Sequence, residues 1–291
     1  MASQLKDTTA SSFADVPVEA VRDYWNARPC NVRHSPKDVG TRDYFDEVEA
    51  RKYRVEPHIP KFADFAAWKG KRVLEVGCGI GTDTINFARA GATVTAVDLS
   101  DESLQLARRR ADVFGLQDRI TFHQANAEEL TASVLVETYD LVYSFGVIHH
   151  TPHPEAAIRQ VARYMGPGST AKIMVYNRWS WKVLWILATY GKMRFWDLDR
   201  QVANHSEAET GCPVTYTYSR STARQLLAAG GLDMTRADIE HIFAYHIPDY
   251  VQYRYVPVWP RRLLPDPAFH WLEHHLGWHL CLTARLQGAP A

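Results

Sequence analysis

Residues 73–81 read VLEVGCGIG, and Asp98, in the triplet Val97-Asp98-Leu99, stands 17 residues past the last of those glycines. A short apolar run (Val73, Leu74, Val76) ends in glycines at 77, 79 and 81, and the periodic segment TDTINFARAGA follows at once. Buried strand, tight turn and helix in direct succession let backbone approach a nucleotide-like ligand. Glycine adopts the left-handed conformations such a turn needs and carries no side chain to block the approach. A second apolar run, Ala92 to Val97, ends in Asp98, which places a carboxylate at the carboxyl edge of the next strand. From there it can accept hydrogen bonds from both hydroxyls of an unmodified ribose. The pattern predicts an α/β sheet with an adenosyl compound at its edge.

The dinucleotide fingerprint spaces its glycines G-x-G-x-x-G, because the helix start must cradle a pyrophosphate. Here the spacing is G-x-G-x-G, with Thr82 where a third dinucleotide glycine would stand and Asp83 behind it in the first helical turn. A negative charge there repels a pyrophosphate, whereas ammonium and sulfonium charges are favoured by Asp83 and by Glu75 at the strand end. A nicotinamide enzyme and a glycine-rich turn with no ligand are the competing readings. The residues EVGCGIG followed by VDLS resemble the class I S-adenosylmethionine methyltransferase family. Within it they are most similar to the broad group that includes the ubiquinone and menaquinone biosynthesis methyltransferases.

The resemblance covers residues 70–177, with a weaker match for the closing strands near the C-terminus. It implies a Rossmann-like, doubly wound, seven-stranded α/β sheet, mostly parallel with an antiparallel last strand. It also implies S-adenosyl-L-methionine as methyl donor and S-adenosyl-L-homocysteine as product. The contacts it implies come from Glu75, Gly77, Cys78, Gly79, Gly81, Asp98 and Leu99, with Asn126 and Ala127 at the adenine. Cys78 is read as small packing inside the turn, not as a nucleophile. Family members usually carry an acidic residue where this chain has Asn126, whose carbonyl oxygen still accepts a bond from the adenine amino group. Further strands are expected at Ile120 to Gln124, Tyr139 to Ser144 and Ala171 to Tyr176, with a helix from Glu155 to Met165.

The 291 residues allow one large domain or a core with an elaborated cap, and a hydrophobic share of 46% predicts a substantial core. The 33 basic and 33 acidic residues balance, which argues against a nucleic-acid partner. Cys30, Cys78, Cys212 and Cys281 lack CxxC spacing, so neither a zinc site nor a disulfide framework is suggested. The first twelve residues lack the apolar core of a secretory signal. The longest apolar stretch, Val183 to Ala188, is far short of the ~20 residues that cross a bilayer. A soluble, cytoplasmic protein is expected.

Residues 1–12 read as a mobile tail and 13–69 as a helical N-terminal lid, carrying VEAVRDYWNAR and TRDYFDEVEARKYR. Tyr24, Trp25 and Arg28 are the candidate lid contacts, Arg28 facing the carboxylate of the cofactor's methionine end. The competing reading packs these aromatics on the core. Residues 178–217 interrupt the core and read as a substrate cap. Their helix is expected to bury a face holding Trp181, Leu184, Trp185 and Ala188. The rival reading is an interfacial helix flanked by Lys182 and Lys192 that dips into a membrane. Residues 218–291 complete the core: a capped helix at 218–233, strands near 234–245 and at Trp278 to Leu286, and between them PDYVQYRYVPVWPRRLLPDP. That apolar loop is expected to lie against the pocket or a partner subunit.

Methyl transfer to a weakly acidic alcohol or phenol calls for a base at the carboxyl ends of the strands. His149, His150 and Tyr176 are the catalytic candidates, with Asn177 and Arg178 beside them; His149 is the favoured base. A histidine pair that merely stabilises its loop is the opposing reading. His149, His150 and His153 form HHxxH, but Pro152 and Pro154 keep the three off one helical face, and His274 with His275 has no ligand spacing. No metal is predicted. The leading function is transfer of a methyl group to a small or medium-sized, apolar or aromatic organic acceptor. RNA or protein methylation and a non-catalytic adenosylmethionine sensor or scaffold are the alternatives. The oligomeric state is not legible.

Overall fold

A computed structural model describes residues 12–191, 193–206 and 211–288. The tail at 1–11 and Lys192 therefore lie outside the described residues. Seven strands form one sheet: β1 (Arg72–Val76), β2 (Thr93–Asp98), β3 (Ile120–Gln124), β4 (Tyr139–Phe145), β5 (Met165–Tyr176), β6 (Leu232–Glu240) and β7 (His279–Leu286). Their order is β3-β2-β1-β4-β5-β7-β6, and β7 runs antiparallel to both neighbours while the rest are parallel. Helices cover both faces, which is why the strands read as near-continuous apolar runs. Side chains alternate across the sheet. Leu74, Val76 and Val142 pack with α6 (Pro154–Arg163) and α9 (Arg220–Ala229), and Val73, Val94 and Leu141 with α4 (Thr82–Arg89) and α5 (Asp101–Phe114).

The N-terminal segment is helical as expected, with α1 (Val18–Ala27), α2 (Arg42–Val55) and α3 (His58–Ala63). Thr41 caps α2 by accepting from the Tyr44 amide, supplying one of the bonds a helix start lacks. The Arg110 guanidinium, wholly buried, ties α2 to the core: it donates to Thr82 Oγ1 at 2.6 Å, Glu49 Oε2 at 3.0 Å and the Phe45 carbonyl at 3.1 Å.

Three expectations change. β5 begins at Met165, six residues before Ala171, because Ser169 Oγ accepts from Gly166 N at 2.8 Å and donates to the Tyr139 carbonyl, stitching an irregular stretch onto β4. β6 ends at Glu240 rather than 245, since His241 takes a left-handed φ of 71° and turns the chain away. The helix of the insertion, α7 (Trp181–Thr189), buries Val183, Ile186 and Leu187 against α8 (Leu198–His205) and Trp278. Its tryptophans, Trp181 and Trp185, are exposed, the reverse of the expected face. Both faces of that helix are apolar, so periodicity had nothing to discriminate between them.

The aromatic loop forms α10 (Ile247–Val251) and α11 (Trp259–Leu263), before α12 (Asp266–Leu276). It braces the N-terminal segment: the Arg51 guanidinium donates to the Tyr250 carbonyl at 2.6 Å and lies over the Tyr250 ring at 3.9 Å. No helix among the described residues is long and apolar enough to cross a membrane.

Candidate active site

A cavity of about 250 Å³ opens at the carboxyl ends of β1, β2, β4 and β5. Open parallel sheets bind ligands at this edge, where strand order reverses on either side of β1. Gly77, Gly79, Asp98, Leu99, Asn126 and Ala127 line one part of it, and Phe145, Met174, Tyr176, His150 and His279 another. Val21, Trp25, Lys52 and Glu56 close it from the N-terminal segment. Among the described residues, none from 178–217 or from the aromatic loop lines it.

Asp98 is set by backbone. Its Oδ2 accepts from Gly79 N at 2.7 Å and its Oδ1 from Ser100 N at 2.9 Å, so the carboxylate is fixed with one lone pair left on each oxygen. Burial pushes its pKa up, and the amides of Ser100, Gly79 and Leu99 hold it back. A Cβ on Gly79 would meet nothing within 4 Å, leaving the turn open toward the cavity. Asn126 Oδ1 accepts from Glu128 N at 3.0 Å and keeps its second lone pair. A fixed ribose-competent carboxylate, an open glycine floor and an amide acceptor fit an adenosyl group.

Other expected contacts stand back from the cavity. Cys78, Gly81 and Glu75 do not line it, nor do Tyr24 and Arg28, which stack on each other at 5.4 Å. Asp83 is buried away from it: Lys52 Nζ lies 2.8 Å from Oδ1, and the hydroxyls of Tyr53 and Tyr143 donate at 2.9 and 3.0 Å. Glu75 accepts from Thr84 Oγ1 at 2.5 Å. Neither acid lines the cavity, so neither carboxylate stands where the sequence reading placed it, beside the bound charges. Asp83 is spent on Lys52, and Glu75 is pushed up to about 8 by burial and then by Asp83.

Glu75 thus keeps its proton in the fold while the unfolded chain releases it above about 4.5. With the folded pKa the higher, its contribution to stability is complete below 4.5 and is lost as pH rises toward 8. Glu75→Gln should flatten that decline in urea denaturation measured across the same pH range. An unchanged slope would remove Glu75 from the account.

The two histidines differ. His149 is fully buried, sits 3.8 Å from the Tyr176 ring centroid and does not line the cavity. Apart from an interaction with the Met174 backbone, its ring nitrogens have no hydrogen-bond partner among the described residues, and burial drives its pKa well below the usual range. Of the two candidates for the base, His150 lines the cavity and the favoured His149 does not. His150 Nδ1 lies 2.8 Å from the Val214 carbonyl, which can only accept, so Nδ1 carries the proton and Nε2 is the basic nitrogen. Asn177 and Arg178 are structural: Asn177 Nδ2 donates to the Gly277 carbonyl, and Arg178 pairs with Asp199 at 3.2 Å.

Lys52, Glu56 and His279 had no local signal in the sequence. His279 Nδ1 lies 2.9 Å from His58 Nε2, and its Nε2 lies 3.7 Å from Glu56 Oε1. Residues 56 and 279 meet only through the fold, the first just past α2 and the second opening β7.

Residues 48–237 match the family model described as "Methyltransferase domain". The ubiquinone biosynthesis O-methyltransferase of Klebsiella pneumoniae is 37% identical over 122 residues, which is 42% of this chain and 48% of that protein. The chain spans about half the length of the curated relatives it matches. Among solved structures, the magnesium protoporphyrin IX methyltransferase of Synechocystis PCC 6803 with bound SAH aligns with a TM-score of 0.58 at 17% identity, over 92% of this chain and 99% of that one. A [4+2]-cyclase aligns with a TM-score of 0.53 at 18% identity, over 95% and 97%.

Proposed function

The chain belongs to the methyltransferase-domain family, with the class I S-adenosylmethionine-dependent fold, and from that premise we propose that it methylates a small, ring-bearing organic acceptor. The observation that carries this reading is a single cavity with two chemically distinct parts. The glycine turn, Asp98 and Asn126 suit an adenosyl group; Phe145, Met174, Tyr176 and His150 form a mostly apolar, aromatic wall beside it. The name of the Klebsiella relative, an O-methyltransferase, supports a ring hydroxyl as the acceptor group. Balanced charge keeps RNA and protein acceptors behind this reading.

When bound, S-adenosylmethionine supplies an electrophilic methyl group. Asp98 would receive its ribose hydroxyls, Asn126 and Ala127 its adenine, and Gly77 and Gly79 would let backbone lie against it. Trp25 and Val21 on α1 shield the cavity from water, and Trp25 packs edge-on to His150 at 5.3 Å. His150 takes the acceptor proton at Nε2 while its Nδ1–H stays on the Val214 carbonyl.

Asp98→Ala should weaken adenosylmethionine binding by roughly 1.5–3 kcal/mol in calorimetric titration, the value of a charge-assisted hydrogen bond; unchanged affinity would take Asp98 out of the site. Incubating the enzyme with methyl-labelled donor and a metabolite extract, then identifying the product by mass spectrometry, tests the reaction. Donor binding without any labelled product would favour the sensor. With that product in hand, His150→Ala should lower kcat about 10²–10⁴-fold at saturating donor. His149→Ala should act through stability alone. Normal turnover in both variants would end the base assignment.

A further inference from the structure

We propose that Glu56, His241 and His279 form a binding site for a divalent metal ion of the zinc class, opening on the methyl-transfer cavity. Their ligand atoms all lie within 4.8 Å of one another, and His241 and His279 are buried. Two imidazoles and one carboxylate are a donor set that catalytic zinc sites use, with a fourth position left for a substrate or water. Glu56 and His279 also line the cavity, so that position faces the chamber assigned to the acceptor.

Three further features fit. His279 Nδ1 is held by His58 Nε2 at 2.9 Å, an imidazole in the anchoring place that a carboxylate or carbonyl fills for most metal-bound histidines, which leaves Nε2, 3.7 Å from Glu56 Oε1, as the nitrogen for the ion. His241 reaches the cluster from a left-handed backbone with φ 71°, a strained conformation for a non-glycine residue that tends to persist where a side chain must be delivered to a site. The adjoining ladder fixes it there, since Glu240 pairs with His279 in register and Trp278 N donates to the His241 carbonyl at 2.7 Å.

The electrostatics allow a cation. Burial lowers all three imidazoles, His58 to about 4, His241 to about 3 and His279 well below the usual range, so their lone pairs are available at neutral pH. Lys52, Lys182 and, at His58, Lys61 are the opposing charges; Lys52 is paired with Asp83 at 2.8 Å, and Lys182 lies over the Trp278 ring at 4.5 Å. Drawing donors spaced up to 4.8 Å onto bonds of about 2.0–2.2 Å requires movements of about 1 Å, within reach of the Glu56 side chain. Within the proposed function, the ion would hold the acceptor oxygen and ease its deprotonation, a role that rests on that reading.

The test needs no methyl transfer. Untagged full-length protein, stripped with chelator, is titrated with zinc chloride by calorimetry, and metal content is measured after dialysis. One ion per chain is expected. Glu56→Gln and His241→Ala should each weaken binding at least tenfold, and His58→Phe by about 10–100-fold through loss of orientation. His153→Ala, outside the cluster, should bind normally. Circular dichroism and cooperative thermal unfolding like those of the parent protein establish that each variant is folded. Substoichiometric zinc, or binding that survives both Glu56→Gln and His241→Ala, overturns the site. Because donor binding and product formation are measured separately, failure of the metal site and failure of the methyltransferase reading remain distinguishable.

Discussion

Gly77→Ala is expected to cost about 2–5 kcal/mol of folding stability and to remove measurable donor binding. Gly77 has a φ of 83°, and placing an L-residue in left-handed backbone costs about 1–2 kcal/mol. The larger part is steric. A Cβ there would stand 2.0 Å from Val147 Cγ2 and 2.8 Å from Val147 Cβ, well inside contact distance, and overpacking of this kind costs about 1–3 kcal/mol. Val147 cannot simply swing aside, because it belongs to the loop between β4 and His150 and itself lines the cavity. Gly77 N also donates to the Val97 carbonyl at 2.7 Å, so a shift of the turn would pull on the strand that carries Asp98. Gly79→Ala is the control. Its φ is 52° but its Cβ meets nothing within 4 Å, so it should fold with a loss of only about 1–2 kcal/mol while narrowing the cofactor end. Urea denaturation and titration with adenosylmethionine measure both effects. If the two variants prove equally stable, the Val147 contact does not set the geometry of the turn.

The glycine turn and Asp98 were legible because their meaning is local. A buried strand, a tight turn and a carboxylate one strand later occupy 26 consecutive residues, 73–98, and each needs a residue type that few others replace. The sheet followed for the same reason, each parallel strand announcing itself as a short apolar run. What escaped was whatever depends on direction or on distant segments. Asp83 and Glu75 were read as facing the ligand, yet the helix start turns Asp83 onto Lys52, 31 residues earlier in the chain. In the adjacent pair His149-His150 only the second reaches the cavity, because one residue's rotation in a 3-10 turn decides which ring points outward. Glu56, His241 and His279 have no spacing to notice. The aromatic loop at 248–267 was expected at the pocket or a subunit contact; none of its described residues lines the cavity, and Tyr250 meets Arg51, a pairing across about two hundred residues.

The comparisons sharpen where fold ends and chemistry begins. A methyltransferase and a cyclase align with this chain at nearly the same TM-score and identity, so the shared sheet carries no choice between those reactions. The family match over residues 48–237 makes that choice for methyl transfer, and the proposed acceptor side, where Phe145, Met174, Tyr176, His150 and His279 line the cavity, is where a substrate would be told apart. A sequence reading confined to the cofactor end could therefore name a donor and leave the recipient open.

The second large effect tests how the N-terminal segment is held. Lys52→Met should destabilise the protein by about 3–5 kcal/mol, the usual result of removing one partner from a buried ion pair. Lys52 and Asp83 side chains are only 12% and 3% exposed, and 2.8 Å separates their charged atoms. Burial alone would pull the Lys52 ammonium down, but Asp83 outweighs it and its pKa is raised. Since the folded value is the higher one, the pair's contribution is intact at neutral pH and is lost only as pH rises through that raised value, above 10.5. Without the lysine, the Asp83 carboxylate stays in the interior with the hydroxyls of Tyr53 and Tyr143 as its partners and no cation to balance it. The exposed pair Arg22–Asp23, at 41% and 68%, should give less than about 1 kcal/mol on Arg22→Ala. Adding Asp83→Asn to Lys52→Met should recover part of the loss, because the stranded charge is then gone. Because Lys52 on α2 and Glu56 just past it both line the cavity, the single variant should weaken donor binding along with stability, and the double variant should recover part of both. A single-variant cost near that of the surface pair, or a double variant no better than the single, would mean that α2 is anchored by Arg110 and apolar packing and that Lys52 has no structural part.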